Sequence, residues 1–182
     1  MAQFKPFADN VKVLGQTVTS LIDALDSGKE VREQILAKHG ISNIDPEKWY
    51  SQEAWLKAFE EISNKVGPST IFMIGKSIPE SAKFPPEIDS LEKGLGAINM
   101  AYKMNHKGGD IGYYKLVSFD PKAKKAVMEC NNPYPSDFDR GIITTMARKF
   151  RPKNSFKLEV NLDTSKPTRL SGADSCTYNI EW

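Results

Sequence analysis

The sequence predicts an α+β domain: N-terminal helices packed on a twisted antiparallel sheet, with one helix inserted between a β-hairpin and the last two strands. Three observations carry this. Apolar residues recur at helical spacing through the first two-thirds of the 182 residues. Alternation with a period of two takes over in the last third. Between the last strands lies one more amphipathic stretch, opened by a cluster of turn-forming residues. Helices and strands that segregate along a chain argue for α+β rather than alternating α/β. The chain reads as a single ligand-binding type of domain over 1–182, mainly helical over 1–105 and mainly strands with one helix over 106–182.

Taken in order, Val11, Val13, Leu14 and Val18 suit either a small hairpin or the lead-in to a helix. Residues 29–39 predict a helix with Val31, Ile35 and Leu36 inward, stopped by Gly40 in a left-handed conformation. Trp49 and Tyr50 precede Ser51, a good N-cap for a helix whose Trp55, Phe59, Ile62 and Val66 share a face and which ends at Gly67-Pro68. Ile71, Phe72, Met73 and Ile74 make the next helix apolar all round, the mark of a buried one. Residues 88–104 place Ile88, Leu91, Leu95, Ile98 and Tyr102 on one face, with Gly94 and Gly96 inside the helix for packing against a neighbour. The strands at 112–119 and 126–130 flank Asp120-Pro121 and a lysine-rich tip, a hairpin signature. A helix to Phe150 follows, capped by Ser136 or Asp137 and burying Ile142, Ile143 and Met146. Two half-buried strands close the chain, Phe156 to Leu162 and Ser175 to Trp182 by numbering of their alternating residues.

Composition sets limits. Hydrophobic residues are 40% and charged residues 26%, ordinary for a globular domain, and a net charge of +2 offers no basic stripe for nucleic acid. The lysines at 122, 124 and 125 suit a solvated hairpin tip, while Arg148, Lys149, Arg151 and Lys153 complement a helix C-terminus. No apolar run is long enough for a membrane span or a signal peptide. Cys130 and Cys176 are the only cysteines, which points to reduced thiols and a cytoplasmic location; each falls in a predicted C-terminal strand, so the two can be neighbours.

The chemistry on offer is sparse. No CxxC, HExxH or GxSxG spacing is present, so neither a metal centre nor a serine nucleophile is indicated. Asp137 and Asp139 sit in the first turn of a helix, where carboxylates complement the dipole. His106 follows the end of a helix, where it serves as a terminal donor or faces a ligand. The best polar set is Tyr134, Ser136 and Arg140, a phenol, a hydroxyl and a guanidinium at the point where a strand gives way to a helix N-terminus. Facing a cavity, they would hold a carboxylate-bearing or polar ligand, with Phe72, Met73, Ile98, Met100, Tyr102 and Met104 as its apolar walls.

The last third resembles a superfamily that comprises the haem-based nitric-oxide and oxygen sensors (H-NOX), the vinyl-reductase-like ligand-binding domains and the Golgi transport-particle subunits. Tyr134-Pro135-Ser136, leading through Arg140-Gly141 into the helix to Phe150, is similar to the Tyr-x-Ser-x-Arg signature of H-NOX domains. In that signature the arginine falls two residues after the serine, where this chain has Phe138; Arg140 stands two places further on. Gly172 through Cys176 to Tyr178 looks like the closing strand of the vinyl-reductase-like domains. The resemblance implies a sensor or carrier of a small hydrophobic or amphiphilic ligand, its output passed to a protein partner or a second copy of the chain. It also implies His106 as the candidate axial ligand of a haem. Three other readings stand beside the carrier: a haem-binding gas sensor, an enzyme acting on a small hydrophobic substrate through His106 or the Asp137/Asp139 pair, and an assembly module exposing Trp49, Trp55 or Trp182.

Overall fold

The computed structural model describes residues 3–25 and 27–182, and it begins with a short strand rather than a helix. β1 (Lys12–Leu14) leads into α1 (Gly15–Asp23) and α2 (Lys29–Lys38), followed by β2 (Trp49–Ser51), α3 (Gln52–Ser81) and α4 (Leu91–Asn105). Then come β3 (His106–Lys107), β4 (Tyr113–Asp120), β5 (Lys125–Asn131), α5 (Ser136–Phe150), β6 (Glu159–Leu162), a 3-10 turn (Arg169–Ser171) and β7 (Ser175–Glu181). The strands form two antiparallel sheets, in the orders β2-β1-β3 and β4-β5-β7-β6. The architecture is α+β, with α5 inserted between the β4–β5 hairpin and the last two strands.

Local chemistry sets most boundaries. Ser51 caps α3 by accepting from Ala54 N–H at 3.4 Å, and Gly67 at φ 76° breaks the same helix just before Pro68. Ser90 accepts from Lys93 N–H, so α4 starts at Leu91 rather than at residue 88. Asp120 Oδ1 accepts from the N–H groups of Lys122 and Ala123 and closes the hairpin tip. No helix among the described residues is long and apolar enough to cross a membrane.

Four expectations are corrected. Val31 faces solvent, and Arg32 takes the inward position on α2, donating to the carbonyls of Ile22, Leu25 and Ser27. Those carbonyls lie at and beyond the end of α1, where a cation is well placed. Neither Ser136 nor Asp137 caps α5; Pro135 is the N-cap residue, and its carbonyl accepts from Phe138 and Asp139. Phe156 is 96% exposed, because pairing between β6 and β7 begins only at Glu159 opposite Glu181, where β7 ends. Trp49 and Tyr50 form a strand paired to β1 rather than a staple.

The crossing of α3 and α5 is unusually close. A Cβ at Gly75 would lie 2.2 Å from the Phe138 carbonyl oxygen, and one at Gly141 would lie 2.3 Å from that of Phe72. Only glycine admits backbones at this separation. Gly94 likewise receives the Phe150 ring of α5, whereas Gly96 faces open space. On the sheet, Cys130 lies opposite Cys176, both buried and unbridged.

Candidate functional site

At the end of α4 the backbone turns extended at His106 (φ −135°, ψ 143°), and the residue pairs with Val13 of β1. That turn folds the imidazole back beneath the helix, where it is 5% exposed and its ring centre lies 4.1 Å from that of Tyr102, the two planes tilted by 34°. Nδ1 lies 2.8 Å from the Tyr102 carbonyl oxygen. A carbonyl only accepts, so Nδ1 carries the proton. Burial lowers the His106 pKa from 6.5 to about 4, with the Tyr102 carbonyl opposing the shift, so the ring is neutral at physiological pH and Nε2 is an acceptor. The Tyr134 hydroxyl, 2.6 Å away, donates to Nε2 and accepts from Trp55 Nε1–H at 3.2 Å.

Tyr134 owes its position to a fully buried network behind it. Its N–H donates to Asn132 Oδ1 at 2.9 Å, and Asn132 Nδ2 reaches both oxygens of Asp139. Arg169, with no exposed surface, donates through Nη1 to the carbonyls of Cys130 and Asn132 and through Nη2 to Asp139. Tyr114 donates to the other Asp139 oxygen at 2.5 Å. Burial pushes the Asp139 carboxyl upward, and Arg169 and Tyr114 draw it back. Burial also works against the Arg169 charge, but Asp139 outweighs it and raises that pKa. A buried charge pair of this kind holds where other hydrogen bonds reach it, here from Tyr114 and Asn132 to Asp139 and from Arg169 Nη1 to two carbonyls, while Arg169 Nε–H is left without a partner. Asp139 is thus buried and paired with Arg169 rather than an exposed partner of the helix dipole. The signal that it is inward is its helical spacing with Ile143 and Met146, which are both buried.

In front of Tyr134 and His106 lies a cavity of about 130 Å³. Ala97 and Ile98 of α4, Phe138, Ile142 and Met146 of α5 and Ile78 of α3 form its apolar walls. Tyr102, His106, Tyr114 and Tyr134 form a polar corner, and Thr17 and Asn105, hydrogen-bonded at 3.2 Å, also border it. Among the described residues no charged side chain lines it.

The residues expected at the site therefore divide. His106, Tyr102, Tyr134 and Ile98 meet at the cavity. Ser136 is buried outside its lining, with its carbonyl accepting from the Tyr178 hydroxyl at 2.8 Å. Arg140 pairs with Asp137 at 3.0 Å and lies over the Phe72 ring, so neither Arg140 nor Phe72 reaches the cavity. Met104 is 69% exposed, and Met73 and Met100 also face outward. The wall on α4 belongs to the Ile98–Tyr102 face, and Met100 and Met104 point away from it. With Arg140 outside, the cavity has no partner for a carboxylate. The tryptophans named for an assembly surface are also covered: Trp55 and Trp182 are buried, and Lys107 Nζ sits 4.0 Å above the Trp49 ring.

No protein-family model matches the chain, and no curated protein matches it. Solved structures do. A Cs H-NOX carrying 4-cyano-L-phenylalanine is 16% identical with a TM-score of 0.65, over 92% of this chain and 95% of that one. An H-NOX domain in which haem distortion was probed is 17% identical with a TM-score of 0.62, over 92% and 94%. The H-NOX from Shewanella woodyi, bound to IWP-051 in the Fe(II)CO ligation state, is 15% identical with a TM-score of 0.56, over 92% and 93%. At these identities they show a shared fold, across the helical half as well as the strands.

Haem is the group this fold family implies. His106 offers a neutral imidazole nitrogen oriented through its other nitrogen, which suits an axial position. The rest does not fit. Tyr134 already occupies Nε2, and Phe138 stands in the cavity wall where the motif has its arginine. The cavity of about 130 Å³ is well under the roughly 300 Å³ at which pockets for drug-sized ligands begin. With its helical half, its inserted α5 and its four-stranded sheet in the same arrangement as those neighbours, this chain has the H-NOX fold.

Proposed function

We propose that this chain is a sensor or carrier domain that holds a small, mostly apolar molecule in the cavity between α4 and α5. The observation that carries the reading is the mostly apolar pocket with a polar corner at His106 and Tyr134. Non-polar walls with a few oriented polar groups are what a small-molecule site requires. The Asp139–Arg169 network supports it, since it anchors Tyr134 and Tyr114 from behind and keeps the corner rigid. Ligand occupancy would be passed to a partner protein or a second copy of the chain. The unbridged Cys130 and Cys176 accord with a cytoplasmic location. For an enzymatic role, Asp137 and Asp139 are each engaged by an arginine, which leaves His106 as the titratable base at the cavity among the described residues.

The test is mass spectrometry of small molecules released on denaturing the purified protein, beside an Ala97→Phe variant that fills the cavity. A molecule bound by the wild type and absent from the variant is expected. Equal retention by both would place the ligand elsewhere and end this reading. A haem-bound gas sensor with His106 as axial ligand is the second reading, favoured by the haem-centred neighbours and by the unprotonated Nε2 of His106. It requires Tyr134 to release Nε2 and the cavity to widen. Protein from haem-supplemented cells is expected to lack a Soret band; a band that disappears in His106→Ala would establish the second reading over the first.

A further inference from the structure

We propose that His106 Nε2 and the Gln52 carboxamide are alternative acceptors for the Tyr134 hydroxyl, so that a neutral ligand bearing an O–H or N–H donor takes Nε2 while Tyr134 turns to Gln52. The inference rests on the cavity reading above and adds the chemical class of the ligand. Gln52 opens α3, held by its N–H to the Val11 carbonyl at 3.0 Å, and its side chain has no exposed surface. Neither its Oε1 nor its Nε2 has a hydrogen-bond partner. Yet it lies near the corner: Gln52 sits one helical turn before Trp55 on α3, and Trp55 Nε1–H donates to the Tyr134 hydroxyl. Burial raises the pKa values of Tyr102 and Tyr134, and the Gln52 side chain opposes the rise in each. A buried carboxamide left unused is costly, and a second arrangement of the same groups that uses it accounts for its presence.

The tautomer dictates the rest. With Nδ1–H committed to the Tyr102 carbonyl, the neutral ring offers the ligand only the lone pair on Nε2. That lone pair accepts one donor, now Tyr134 O–H. Turning the hydroxyl toward Gln52, with the carboxamide shifting into hydrogen-bond range, frees Nε2, and Trp55 N–H can still donate to the phenol oxygen. A ligand entering this corner must therefore donate. It must also be neutral, since no charged side chain among the described residues lines the cavity. An apolar cavity of about 150 Å³ holds benzene, so about 130 Å³ here admits a single ring or a short chain. Phenols, N–H heterocycles and small alcohols form the class.

Phenol and toluene, nearly equal in shape, provide the test by calorimetry on the whole chain. Both are expected to bind, with phenol favoured by about tenfold, the value of one net hydrogen bond. His106→Phe should abolish the preference. Gln52→Leu should weaken phenol and spare toluene. On the wild type, phenol should shift the His106 Nε2 nitrogen resonance and toluene should not, a readout independent of whether either variant folds. Toluene binding without a phenol preference, a preference that survives Gln52→Leu, or an Nε2 resonance unmoved by phenol would each overturn this inference and leave the cavity reading intact. Binding of neither probe would remove both.

Discussion

Acidification will destabilise this fold through His106. Burial lowers the pKa of its imidazole from 6.5 to about 4, because a charged ring loses its hydration there. In the unfolded chain the same ring regains its ordinary value. Between the two values the unfolded chain binds a proton that the folded chain refuses, so stability rises with pH across that window. The contribution is fully present above 6.5, is lost as the pH falls, and levels off below about 4. At ~1.4 kcal/mol per pH unit the gap is worth about 3 kcal/mol, against the roughly 5–15 kcal/mol that holds a typical domain together. Urea unfolding followed by tryptophan fluorescence across this range, on the wild type and on His106→Gln, measures it. The variant will start lower, having lost an oriented hydrogen-bond pair, but its profile will be flatter by about 3 kcal/mol. Parallel profiles for the two proteins would refute the buried neutral histidine, and with it the acceptor role of Nε2.

The helix crossings and the buried charge pair make two further predictions. Gly141→Ala puts a methyl 2.3 Å from the Phe72 carbonyl oxygen and should cost about 1–3 kcal/mol through forced displacement of α3. Gly96→Ala, with nothing within 4 Å of the new methyl, should instead add about 0.5–1 kcal/mol by helix propensity. Thermal melts that move the same way for both would contradict the crossing geometry. Asp139→Asn strands the Arg169 guanidinium without its counter-charge and should cost about 3–5 kcal/mol. Adding Arg169→Met to that variant should cost less than the sum of the separate changes, as denaturant titration of the four proteins in a double-mutant cycle would show; strict additivity would mean that the pair is not a unit.

Boundaries and faces were legible where a residue's local chemistry sets them. Ser51 and Ser90 cap helices whatever lies around them, Gly67-Pro68 breaks a helix, and the Asp120 turn closes its hairpin, because each acts on backbone within a few residues. The strand expected from Phe156 starts only at Glu159 for the opposite reason. Its alternation is real, but a strand needs a partner, and β7 ends opposite Glu159. Val31 and Arg32 were exchanged because the carbonyls that draw Arg32 inward belong to a different helix.

The site separates along the same line. Sequence alone determined the α+β class, the strand-to-helix junction at Tyr134, and His106 and Tyr102 as candidate ligand contacts, since periodicity and turn chemistry are local properties of the chain. Tertiary structure alone decided what those residues touch. It turned Arg140 out to Asp137 and Met104 out to solvent, and it brought Gln52, at the start of α3, near the phenols. It also paired Asp139 with Arg169, thirty positions away, behind the cavity wall. Contacts between elements distant in the chain depend on packing distances and on which polar groups must be satisfied once water is excluded, and one-dimensional spacing carries neither.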